Sequence, residues 1–263
     1  MYSSDDILTT DKYLSLASEN IVYLKTDLLT YGCDEIEFRG YIIKVKPANV
    51  WITGHSDYHI HPALFEKYEW NCKFWFTINK ACENEKLISL PLGITNNTCE
   101  TAVHGIYGNI DIMIEVMAKP QLIKNLMYMN FNLRTNRERR VCYELFSHTT
   151  WTTKGKDVKT MEGRANFLEE MRNHKFTLCP SGNGPDTHRL WEALYMESIP
   201  IVRNQICYKE FQDLPILFVN DWTDITEQFL ENKYKEIKGS SWNMDKLKFS
   251  YWKELITNTA SKS

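Results

Sequence analysis

The run from Phe176 to Val202 constrains the fold of this chain more than any other stretch. A short apolar segment, Phe176 to Cys179, enters a loop of small residues, Pro180 to Pro185. A helical stretch follows, then Ser198 and a second apolar segment, Ile199 to Val202. This is a β-loop-α-β unit, from which open parallel sheets are built. In such sheets ligands bind beyond the carboxyl ends of the strands, where loops meet helix N-termini.

The loop chemistry suits an anion. Gly182 and Gly184 predict close backbone approach and positive φ. Asp186 or Thr187 is placed to cap the new helix, whose first-turn N–H groups and dipole favour a phosphate. Arg189 falls in that first turn and can pair in bidentate fashion with a diphosphate. Glu192 lies three residues on, on the same helix face, where a carboxylate can accept hydrogen bonds from a ribose diol. Taken singly, Arg189 and Glu192 also fit an ordinary (i, i+3) ion pair on a solvated face. The expected donor-binding set is Ser181, Gly182, Asn183, Gly184, Asp186, Thr187, His188, Arg189 and Glu192.

The run resembles the C-terminal domain of the exostosin-type glycosyltransferases. The shared features are a strand ending in Cys179-Pro180, a Gly-rich loop, Arg189, then Glu192-Ala193-Leu194, and Ser198 before Ile199-Pro200-Ile201-Val202. The stretch from Leu214 to Trp222 is similar as well. The resemblance covers Lys175 to Phe229 and fades before Leu122. It implies a fold of two Rossmann-like α/β domains facing a central cleft (GT-B-like). It also implies transfer of a sugar from a nucleotide-diphosphate sugar, with inversion favoured, and a C-terminal helix that crosses back to the first domain.

Composition sets outer bounds. The chain has 263 residues, 43% of them hydrophobic, enough for one large or two small domains. A net charge of −3 argues against nucleic-acid binding. The many Trp and Tyr residues suit core packing and also carbohydrate faces. The 7 Cys are odd in number and scattered, which reads as reduced thiols rather than a disulfide framework or zinc site. No signal peptide or membrane span is visible, unlike the anchored animal exostosin-type enzymes, so a soluble cytoplasmic relative is expected. The sequon Asn96-Asn97-Thr98 is then expected to be idle.

Along the chain, strand, loop and helix patterns repeat to about residue 120, where Ala118-Lys119-Pro120 marks a boundary. The expected division is 1–120 for an acceptor-side domain, 121–240 for a nucleotide-sugar domain, and 241–263 for a terminal helix and tail. Tyr41–Val45, Val50–Thr53, Lys73–Ile78, Leu87–Leu92 and Leu126–Phe131 read as strands. For Ile110–Met117 periodicity does not choose between strand and helix. Helices are expected to begin at Asp224 and at Trp242.

A second cluster, His55, Asp57, His59 and His61, follows a strand end. Three readings are open. The first is a zinc site, though no Cys or Glu completes a recognised spacing. The second is structural, with Asp57 capping the next helix. The third is a general base on an acceptor hydroxyl, with Asp57 preferred and His55 and His59 as substitutes. In the Arg134/Arg137/Arg139/Arg140 cluster, the alternative to a solvated basic face is that Arg134 or Arg137 helps Arg189 neutralise the departing diphosphate. No Asp-x-Asp pair occurs near a strand end, so a metal-independent mechanism without cofactor is expected. The expected partners are a nucleotide-sugar donor and a carbohydrate acceptor. Two alternatives stand beside this reading: a fucosyltransferase-like enzyme with a guanine-nucleotide donor, and a non-catalytic nucleotide- or sugar-binding module.

Overall fold

The computed structural model describes residues 2–97 and 102–262. Its strands are β1 (Ile21–Lys25), β2 (Glu35–Phe38), β3 (Tyr41–Lys44), β4 (Ala48–Gly54), β5 (Cys72–Thr77), β6 (Leu87–Ser89), β7 (Asn125–Met129), β8 (Thr152–Lys154), β9 (His174–Leu178), β10 (Ile199–Arg203) and β11 (Leu217–Val219). Its helices are α1 (Thr10–Leu14), α2 (Thr26–Tyr31), α3 (Pro62–Tyr68), α4 (Ala102–Tyr107), α5 (Ile110–Met117), α6 (Arg137–Phe146), α7 (Met161–Arg172), α8 (His188–Tyr195), α9 (Glu227–Lys238) and α10 (Phe249–Ser261).

Two parallel sheets organise the chain. The first runs β1-β4-β5-β6 and the second β11-β10-β9-β7-β8. Strand β4 reads as a continuous apolar run because, flanked by neighbours and covered on both faces, Val50, Trp51 and Ile52 are all fully buried. Numbered by chain order within the second sheet, the strands lie 2-1-3-4-5. The direction of winding therefore reverses between β7 and β9, and a crevice opens at their carboxyl ends. Hairpin β2–β3 is an antiparallel insertion between β1 and β4.

Helix α8 is where the two halves share a core. Leu190, Trp191 and Leu194 join one apolar cluster with Ile7, Leu8 and Tyr13. The Tyr195 hydroxyl accepts from Leu8 N at 2.8 Å and donates to the Leu247 carbonyl at 2.7 Å. Helix α10 crosses back to the first sheet. Asn49 Nδ2 donates to the Ala260 carbonyl at 3.0 Å, and Trp252 is buried against the Phe211 ring.

One segment that the sequence left open is now assigned, and two helix starts differ from the sequence expectation. Ile110–Met117 is a helix, α5, that buries Met113, Val116 and Met117, with Asn109 accepting from Ile112 N as its cap. Asp224 does not begin a helix: Asp221 caps a short 3-10 turn, Trp222–Asp224, and Thr226 caps α9. The terminal helix starts at Phe249 rather than Trp242, because a 3-10 segment, Met244–Leu247, intervenes. Of the sequon, Thr98 lies outside the described residues, as does Cys99. Asn96 is buried, and its side chain bonds Asp11 N and Thr10 Oγ1.

Candidate functional site

A cleft of about 1070 Å³ lies between the sheets, walled by the strand ends of both. From the second sheet come the loop after β7, which carries Phe131, Asn132 and Arg134, and the loop after β9, which carries Gly182, Asn183 and Gly184. From the first come His55, Ser56 and Asp57 after β4, and Asn79 after β5.

The glycine loop is fixed from both sides. A Cβ on Gly184 would sit 2.7 Å from Asn79 Nδ2, and one on Gly182 would sit 2.9 Å from Arg139 Nη2. Neither glycine has positive φ, contrary to expectation. Close approach is the whole of their role. Helix α6 braces the same loop: Asn136 Nδ2 donates to the Gly182 carbonyl at 2.7 Å, and Glu138 Oε2 accepts from Ser181 N at 2.7 Å. Ser181 itself does not line the cleft.

Arg139 and Arg189 form the cationic floor. Their guanidinium carbons stand 5.9 Å and 5.8 Å from the Phe131 ring centroid, so the two charges share one platform. Neither has a carboxylate within ion-pair distance among the described residues. Arg139 is buried and donates to the Ser181 carbonyl and Thr135 Oγ1. Burial, and next the charge of Arg189, lowers its pKa to about 10, which leaves it charged at neutral pH. The second cleft arginine is therefore Arg139 rather than Arg137, which is exposed and outside the cleft lining. Arg134 lines the cleft but is exposed. A signal for Arg139 was present in the sequence: it shares a helix face with Cys142 and Phe146, both buried.

Three further expectations about this loop change. Thr187 occupies the N-cap of α8 but makes no side-chain cap bond, and its Oγ1 is buried without a partner among the described residues. Asp186 does not cap either. Its carboxylate accepts from Leu92 N at 2.9 Å and from Trp191 Nε1 at 3.0 Å, tying the loop to the segment that follows β6 of the first sheet. Burial pushes its pKa up to about 7, against the pull of those bonds. Glu192 does not pair with Arg189. It is buried and meets Arg164 of α7, with 2.7 Å between Oε1 and Nη2, while still lining the cleft. His188 donates from Nδ1 to the Gly93 carbonyl at 2.7 Å, and burial lowers its pKa, so the ring is neutral at pH 7.

On the opposite wall, Asp57 is exposed, and its Oδ2 accepts from Asn183 Nδ2 at 3.1 Å. It does not cap α3. That task falls to His61, whose Nδ1 accepts from Leu64 N at 3.3 Å. His55 lines the cleft with φ +50°, but both ring nitrogens are engaged, Nδ1 with the Tyr23 hydroxyl and Nε2 with Asp11 at 2.7 Å. Asp11 also meets Arg39. His59 is exposed, stacks edge-on with His61 and is not part of the cleft lining. Among the described residues no three His, Cys, Asp or Glu side chains converge to hold a metal. No described helix is long and apolar enough to cross a membrane.

Fold and site together define a two-sheet α/β protein whose cleft between the sheets presents fixed cations at the switch point of a doubly wound sheet. Residues 125–254 match the family model of the RXYLT1 C-terminal domain, of a glycosyltransferase-like family. The matched stretch begins with β7, includes the whole second sheet and contains Lys175 to Phe229. Among solved structures, one titled "Crystal Structure of alpha1,3-Fucosyltransferase" is similar at 10% identity and a TM-score of 0.42, over 94% of this chain and 92% of that chain.

Proposed function

We propose that this protein is a glycosyltransferase that moves a sugar from a nucleotide-diphosphate sugar to a hydroxyl of a glycan or glycoconjugate. One observation carries the reading. Arg139 and Arg189 lie side by side at the switch point, without carboxylate partners among the described residues, next to a glycine loop on which a Cβ would press within 3.0 Å on the Asn79 and Arg139 side chains. The family match over the same residues agrees with it.

In this reading the donor diphosphate rests on the two guanidiniums and Glu192 meets the ribose diol. The acceptor hydroxyl enters from the first domain beside Asp57. As its oxygen bonds to the anomeric carbon, its proton passes to Asp57 and the carbon–oxygen bond to the diphosphate breaks. The leaving electron pair then sits on phosphate oxygens held by Arg139 and Arg189. A single base on the far side gives inversion. Two fixed cations at the leaving group supply the charge that a divalent ion supplies elsewhere, so transfer is metal-independent.

The test is hydrolysis and transfer assayed across uridine and guanosine nucleotide sugars, with and without EDTA. Turnover of one donor that survives EDTA is the expected result. Loss with EDTA and rescue by Mn²⁺ would overturn metal independence. Nucleotide binding without turnover of any donor would leave a binding module instead.

A further inference from the structure

We propose that Arg164 is a positioning residue that keeps Glu192 on the ribose and away from Arg189, so that this buried pair selects nucleoside diphosphates over bare pyrophosphate. The proposal rests on the nucleotide-donor reading above.

Arg164 lies on α7 behind the cleft and is fully buried. Its guanidinium packs between two rings, 5.2 Å from the centroids of both Tyr107 and Phe167. Its single counter-charge among the described residues is Glu192, at 2.7 Å. Among the described residues none of its Nε, Nη1 and Nη2 atoms has a hydrogen-bond partner. A guanidinium normally satisfies five donors, and a buried ion pair without supporting hydrogen bonds stabilises a fold poorly. Stability alone therefore gives no reason to bury this charge.

The geometry around Glu192 supplies one. Arg189 stands one turn earlier on the same helix, at the spacing where a carboxylate and a guanidinium pair readily. Such a pair would cancel the cation the diphosphate needs and turn the carboxylate away from a diol. Arg164 draws Glu192 to the other side. Arg189 is left with its buried Nε unpartnered and its guanidinium over Phe131. The two functions of the cleft, cation for phosphate and carboxylate for diol, are thus kept apart by a residue that does not itself line it.

The experiment measures Kd for uridine diphosphate, guanosine diphosphate and inorganic pyrophosphate by calorimetry, with melting temperatures alongside. The variants are Glu192→Gln, Arg164→Met, Arg164→Lys and the double variant Arg164→Met/Glu192→Leu. Glu192→Gln and Arg164→Met should each reduce the preference for nucleoside diphosphate over pyrophosphate by about tenfold or more. Arg164→Lys should restore part of it. The double variant replaces the pair by apolar groups and should regain melting temperature without regaining the preference. If Arg164→Met fails to fold, Arg164→Lys carries the test, and an undiminished preference in it overturns the positioning role. Loss of preference in Glu192→Gln, with Arg164→Met keeping it, overturns the positioning role and leaves the donor reading intact. An unchanged preference in Glu192→Gln overturns the role of the pair. Failure of the unaltered protein to bind either diphosphate overturns the donor reading itself.

Discussion

Arg189 and Arg139 share a platform but differ in how much hydrogen-bonding capacity is left for a ligand. Arg139 spends its donors on Ser181, Asn132 and Thr135, and so builds the loop. Arg189 keeps a buried, unpartnered Nε beside the Phe131 ring. Arg189→Ala should therefore weaken nucleoside diphosphate binding by roughly 1.5–3 kcal/mol, the loss of a charge-assisted contact, with little change in melting temperature. Calorimetric titration checks it, and unchanged affinity would remove Arg189 from the diphosphate site. At this scale the sequence was informative where chemistry is local and silent where it is not. Arg189 was legible because it follows a glycine loop on a helix start. Arg139 was hidden in a run of four arginines, although its alignment with Cys142 and Phe146 marked it as inward-facing. The Arg164–Glu192 pair joins successive helices across β9 and the glycine loop, and no spacing rule connects the two residues.

Among the elements, the β9–α8–β10 unit was readable because every signal agreed: apolar strands, small-residue loop, amphipathic helix. Strand β1 was not legible because no turn signal sets it apart from α2, which begins at the next residue. Strand β2 alternates acidic and apolar residues on a half-exposed hairpin, so it lacks the apolar run of a buried strand. The loop that feeds α8 also carries a pH-dependent cost. Asp186 is buried with its pKa raised to about 7, whereas an unfolded aspartate titrates near ~3.9. Between those values the folded protein holds a proton that the unfolded chain has lost. Stability should therefore fall as pH rises through that window, by up to about 1.4 kcal/mol per pH unit, and level off above it. His174, which is buried, and the half-buried His188, whose pKa values are lowered by desolvation, act in the opposite sense below the ordinary His range. The Asp186 contribution is therefore read as the difference between the unaltered protein and Asp186→Asn. Melting curves from pH 4.5 to 8 should show a flatter loss of stability with rising pH in the variant. Equal slopes would assign the pH dependence elsewhere.

At the scale of the whole molecule, the cleft is useful because its two walls come from different sheets that share one core around α8. Asp57 stands on the first wall and the cationic floor on the second, so the two can be perturbed separately. Asp57→Asn should abolish transfer while leaving donor affinity nearly unchanged. The amide keeps the shape of the carboxylate and can still meet Asn183 across the cleft, but it cannot take a proton from an acceptor hydroxyl. Loss of a general base costs about 10²–10⁴ in rate. A structural role for Asp57 predicts the reverse. His61 already caps α3, and Asp57 makes its hydrogen bond in an exposed position, so an Asn there would leave both fold and turnover close to normal. His55 does not offer an equivalent substitute, because Tyr23 and Asp11 already engage its two nitrogens, and His59 lies outside the cleft. Turnover and donor Kd measured on the same preparation, with a melting curve to confirm folding, decide between these outcomes. Near-normal turnover would remove Asp57 as the base. A parallel loss of donor affinity would mean that the Asp57–Asn183 contact shapes the glycine loop, and that the two walls act as one unit.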